Sequence, residues 1–153
     1  MKKFLILSFV ALTIISCGNS ADEPVAETDS LTADIIYAWR SSLNDSTGKF
    51  EMKKTEATNL DSLSVNSIVD YINASDTNIR MEVGKTSGDT VYIKIPVADV
   101  LTQQRGTSGA ALYLSRVVYN LTELPGIHFV NFNFKEGDHA SPGTYGRDSF
   151  KDY

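Results

Sequence analysis

Near the C-terminus, Asp138, His139 and Ser141 bring a carboxylate, an imidazole and a hydroxyl within four positions, the side-chain set of a hydrolase. Catalytic triads are assembled from distant segments, because neighbours on one loop do not point at each other in relay geometry. His128 is the other imidazole of the chain, and the alternation around it predicts a half-buried packing residue or a loop hydrogen-bond partner. His128, His139, Asp138, Glu136 and Asp148 could in principle ligate a metal, yet they follow no His-x-x-x-His or repeated-carboxylate spacing. The sequence therefore predicts no catalytic residues, no metal and no cofactor. A different chemistry is suggested by Arg105-Gly106-Thr107-Ser108-Gly109, a Gly-rich run feeding a helix start. Free amides and the helix dipole favour an anion there. The run lacks the lysine and spacing of a nucleotide loop, and Thr107 or Ser108 as a plain helix cap is the simpler account of it.

The single cysteine, Cys17, closes Ile14-Ile15-Ser16-Cys17 after Lys2-Lys3 and an apolar stretch from Phe4 to Ile15. A charged start, a short apolar core and a small residue before the cut describe a secretory signal. With the cysteine at the cut, residues 1–16 and Cys17 resemble the lipobox of bacterial lipoproteins. The resemblance implies a Cys17 that is acylated and becomes the new N-terminus, with export and attachment to a membrane. In lipoproteins of diderm bacteria an aspartate after the cysteine marks inner-membrane retention; Gly18 stands here, so the expectation in such a cell is the outer membrane. Several acyl chains anchor stably where one alone is marginal.

Cleavage removes Lys2 and Lys3 and leaves twelve basic against nineteen acidic residues, a net charge of −7. An acidic chain of this kind is a poor partner for nucleic acid or an anionic lipid surface. With Cys17 consumed by lipid, no thiol is left for a disulfide, a zinc cluster or a nucleophile.

The elements follow from periodicity. Residues 17–33 are small, polar or acidic and read as the acylated cysteine and a flexible tether. Residues 34–63 are ambiguous. Ile35, Trp39 and Leu43 fit a helix face, whereas Tyr37 and Trp39 against Phe50 and Met52 fit a hairpin around Asn44-Asp45-Ser46-Thr47-Gly48. Val65, Ile68, Val69 and Ile72 form a helical stripe that Ser62 or Ser64 could cap. Ile79, Met81 and Val83, then Val91, Ile93 and Ile95, alternate on either side of a loop at 84–88, and Pro96 ends the second strand. A second helix is predicted from about Ser108 to Leu124, with Ala110, Leu114, Val117, Leu121 and Leu124 inward and Pro125-Gly126 as its stop. Val130, Phe132 and Phe134 mark a third strand, and residues 138–153 read as a loop-like tail.

The expected fold is α+β, a two-layer α-β-β-α-β domain with a three-stranded sheet and both helices on one face. The polar face of that sheet, with Arg80, Glu82, Thr90, Tyr92, Lys94, Asn131 and Asn133, is a candidate docking face for a protein partner.

Val117-Val118-Tyr119-Asn120-Leu121-Thr122-Glu123-Leu124-Pro125-Gly126-Ile127, followed by Val130-Asn131-Phe132, resembles the closing signature of GerMN domains. The strand Thr90-Val91-Tyr92-Ile93-Lys94-Ile95 sits where that family places its central strands, and the resemblance covers about residues 64–137. GerMN domains occur in spore-germination and other envelope lipoproteins, with a fold similar to the ring-building motifs of secretion and sporulation assemblies. The resemblance implies a non-catalytic domain that mediates protein contact or envelope assembly. The family often closes its last strand with a Val-x-Gly-type end, where this chain has Lys135-Glu136-Gly137. The alternative expectation is a binding module for an anionic small molecule or glycan at the Arg105 loop, sensitive to Arg105 itself.

Overall fold

The computed structural model describes residues 38–44, 46, 47, 49–55 and 63–151. The signal, Cys17, the tether, Ile35, Tyr37 and Ser62 lie outside the described residues. Among the described residues no helix is long and apolar enough to cross a membrane.

The fold is α+β, with two sheets rather than a single three-stranded one. The ambiguous N-terminal region forms a hairpin of β1 (Trp39–Asn44) and β2 (Lys49–Lys54). Asn44 makes its turn: its side-chain oxygen accepts from the amides of Ser46 at 2.9 Å and Thr47 at 3.2 Å. The register sets Ser41 opposite Met52 and Trp39 opposite Lys54.

Helix α1 (Val65–Ser75) starts at Ser64, whose hydroxyl accepts from the Ser67 amide while the Ser67 hydroxyl accepts from the Ser64 amide. This reciprocal pair satisfies two amides that the helix start would leave open. Ile68, Val69 and Ile72 are buried as their spacing requires.

Strands β3 (Glu82–Ser87) and β4 (Thr90–Lys94) form the expected hairpin, but its loop is shorter than 84–88. The turn is Gly88-Asp89, with Gly88 at φ 61°, where a side chain would be strained. Gly84 sits in a bulge between Val83 and Lys85, so Val83 pairs with the buried Ile93 and Lys85 with the outward Tyr92.

After a π-helical turn at Val100–Gln104, helix α2 runs from Gly106 to Leu121, so Gly106–Gly109 is its first turn rather than a loop. Neither Thr107 nor Ser108 caps it; the chain enters through Arg105 in a helical conformation. Ala110, Leu114, Val117 and Leu121 are buried. Leu124 lies past the helix end but still packs against the core.

Strand β5 (Phe129–Asn133) runs parallel to β4, and the tail adds β6 (Gly143–Tyr145) antiparallel to β5. The sheet order is β3-β4-β5-β6. The tail is thus an edge strand followed by a 3-10 turn at Arg147–Phe150, not a loop. Three residues that begin with the glycine of a Pro-Gly pair carry no legible alternation; they are ordered by pairing with β5. Tyr145 packs its ring edge-on to Phe132 at 5.8 Å and stacks on Phe150. One cluster unites α1, α2 and the inward faces of β4 and β5, including Ile72, Ile93, Val117, Leu121, Val130 and Phe132.

Gly137 is fixed by close approach. A Cβ there would lie 2.7 Å from Thr102 Cβ and collide with the end of the Gln103 side chain, where the tail crosses the π-helical turn. The His139 amide donates to the Thr102 carbonyl at 3.0 Å beside that crossing.

Candidate functional site

On the outward side of the four-stranded sheet the register aligns a row of polar residues. Glu82 faces Lys94, Lys85 faces Tyr92, Tyr92 adjoins Asn131, Lys94 adjoins Asn133, and Asn131 adjoins Thr144. Lys85 Nζ sits 4.8 Å over the Tyr92 ring, and the Asn131 amide donates to the Thr144 hydroxyl at 2.8 Å. Arg80 is exposed just before β3, and Thr90 hydrogen-bonds Asp89 at the turn. Lys85 and Thr144 were not legible as members of this face, the first because of the bulge and the second because β6 was not. One edge of the sheet is β3, exposed along most of its length with no further strand beside it among the described residues.

The Arg105 region differs from an open anion loop. Arg105 forms a close ion pair with Asp76, the residue that ends α1, and its guanidinium carbon lies 5.1 Å from the centre of the Tyr113 ring. Arg116 comes within 3.9 Å of the same Asp76 oxygen and 5.5 Å of the same ring. The Thr107 hydroxyl and His139 Nδ1 share a hydrogen bond of 3.3 Å, which fastens the tail to the start of α2.

Asp138, His139 and Ser141 do not face one another. Ser141 donates to Glu136 at 2.6 Å and the His139 ring meets Thr107. His128 is exposed rather than half-buried, and its amide donates to the Asp89 carbonyl at 2.8 Å. Among the described residues no three His, Cys, Asp or Glu side chains converge as metal ligands.

The densest polar cluster was not anticipated. Glu123, just past α2, accepts from Trp39 Nε1 and Arg147 at 2.8 Å each and pairs closely with Lys54. Arg147 also donates to the Thr122 hydroxyl at 2.8 Å and the Tyr119 carbonyl at 3.1 Å, so it caps the C-terminal end of α2. Its guanidinium lies over both Trp39 and Tyr119, at 4.9 and 5.1 Å from the ring centres. Burial favours the neutral Glu123 acid, but hydrogen bonds from Lys54, Trp39 and Arg147 and the Lys54 charge outweigh it. The carboxyl is lowered from 4.5 to about 2. This cluster joins hairpin, helix end and tail.

Comparison with protein-family models, with curated proteins and with solved structures finds no match to this chain.

Proposed function

We propose that the chain is an exported, lipid-anchored envelope protein whose GerMN-like α+β domain is non-catalytic and mediates protein contact or envelope assembly. The address rests on the sequence: Lys2-Lys3, the apolar run and Cys17 before Gly18. Acyl chains on Cys17 tie the protein to the membrane, on the outer membrane in a diderm cell, and residues 18–33 give the domain reach.

The observation that carries the contact reading is the outward sheet face around Tyr92. Tyr92 is half-buried at mid-sheet under Lys85, beside the Asn131–Thr144 pair, and bordered by the exposed strand β3. A tyrosine with an apolar ring and a polar tip suits a protein interface, and an open strand edge supplies backbone donors and acceptors to a partner. The row Arg80, Glu82, Lys94, Asn131 and Asn133 provides the polar rim.

The test is cross-linking in intact cells, followed by purification of the tagged full-length protein and mass spectrometry of what accompanies it. A reproducible envelope protein, lost on Tyr92→Ala and retained on an exposed change elsewhere such as Asp70→Asn, supports the reading. A monomer that brings nothing with it counts against contact. Cys17→Ser tests the address separately: loss of palmitate labelling and release from the membrane fraction are expected, and an unaltered membrane fraction would refute the anchor.

A further inference from the structure

Arg105 and Arg116 are eleven positions apart, about three helical turns, and therefore project on one side of α2. Together with Tyr113, Gly109, Leu112 and, across from them, Ser41 of β1, they line a cavity of about 220 Å³. Two guanidinium groups belong to that wall and no carboxylate does. Asp76, which is not among the lining residues, holds Arg105 in a close ion pair and Arg116 at 3.9 Å. Both arginine side chains are largely covered, 26% and 22% exposed, so solvent and salt screen them less than surface cations. Tyr113 is buried with both guanidinium groups close to its ring, and Leu112 supplies an apolar wall.

We propose that this cavity binds a carboxylate attached to a small apolar body. The carboxylate meets the guanidinium groups, whose planar forks match its two oxygens, and the body lies against Leu112. The volume lies below the roughly 300–1,000 Å³ of pockets that enclose drug-sized ligands, which limits the ligand to a small acid or the end of a chain. The site shares no residue with the outward sheet face, so it stands or falls independently of the contact reading. It also differs from an anion held by the first amides of α2, because Arg116 and Ser41 are distant from that helix start in sequence.

The test is NMR titration of the purified full-length chain with benzoate, N-acetyl-leucine, their neutral amides and inorganic phosphate, following the Gly109 amide and the arginine Nε–H signals. Both carboxylates should give saturable shifts and both amides none. Tighter binding of N-acetyl-leucine assigns the site to chain ends, and tighter binding of benzoate to free acids. Arg116→Met, which keeps the stem and removes the charge, should weaken binding about tenfold or more. Ser41→Glu, which places a competing carboxylate in the cavity, should do the same and covers the case in which Arg116→Met does not fold. Equal binding of the amides, phosphate binding more tightly than either carboxylate, absence of saturable shifts, or unchanged affinity in the folded variants would overturn the proposal.

Discussion

Asn120 in α2 pairs with both backbone groups of Trp39: its side-chain oxygen accepts from the Trp39 amide and its side-chain nitrogen donates to the Trp39 carbonyl, each at 3.0 Å. A helix side chain thus does for β1 what a neighbouring strand would. Asn73 of α1 repeats the device with Met81 ahead of β3, at 2.8 and 2.9 Å. In both places an amide side chain satisfies backbone groups that burial would otherwise leave open.

The hairpin's attachment follows from that pair. Asn120→Ala leaves the Trp39 amide and carbonyl without these partners and opens space at a position only 2% exposed. We expect a loss of about 2–3 kcal/mol in stability. Trp39 is the only tryptophan in the chain, so its fluorescence reports the hairpin alone. Red-shifted emission in Asn120→Ala before global unfolding in urea is the expected result. Unchanged emission and midpoint would show that the pair does not hold the hairpin.

Glu123 makes stability depend on pH. Its folded value, about 2, lies below its ordinary 4.5, so its ionised form is favoured by folding. The contribution is fully present above about pH 5 and is lost as pH falls toward 2. Lys54 is half exposed, which weakens its share, and we expect about 2 kcal/mol in all. Urea unfolding of the native protein and Glu123→Gln at pH 7, 5, 4 and 3 checks this: the gap between them should be largest at pH 7 and narrow on acidification. A gap independent of pH would mean that the carboxylate charge is not what holds the cluster.

Much of the main sheet and both helices was legible in the sequence. The Val65–Ile72 stripe lies within α1, the Val91–Ile95 and Val130–Phe134 alternations run along β4 and β5 and one residue past each, and all three face one shared core. The hairpin length was misread because Gly84 and Gly88 look alike in sequence, whereas one makes a bulge and the other a turn. Strand β6 was missed because three residues cannot display a period. The Glu123 cluster was illegible for a different reason. Its partners Trp39 and Arg147 lie 84 and 24 positions away, and only the packed hairpin and tail bring them together. Arg105 was read only as part of an anion-binding run because nothing in its neighbourhood announces Asp76, 29 positions earlier.

Arg147 is a test of geometry over charge. Lysine at that position keeps the positive charge but cannot reach Thr122, the Tyr119 carbonyl and Glu123 at once, nor lie flat over Trp39 and Tyr119. Arg147→Lys should therefore cost about 1–2 kcal/mol, close to the cost of Arg147→Met. Chemical denaturation of both variants decides it; a lysine variant as stable as the native protein would reduce the residue's role to its charge.

Gly137 tests whether the tail is ordered by its crossing of the π-helical turn. Alanine there would force its Cβ against Gln103 and to within 2.7–2.8 Å of Thr102, contacts that real side chains do not make. The tail or the turn must shift, and overpacking of this kind costs about 1–3 kcal/mol. If the crossing positions the tail, the shift should carry with it the His139–Thr107 contact and the pairing of β6 with β5. Amide hydrogen exchange should then accelerate at Thr144 and Tyr145 while β4 and α1 keep native protection. Acceleration spread evenly over the domain would instead mean that the substitution lowers global stability and leaves the tail's attachment intact.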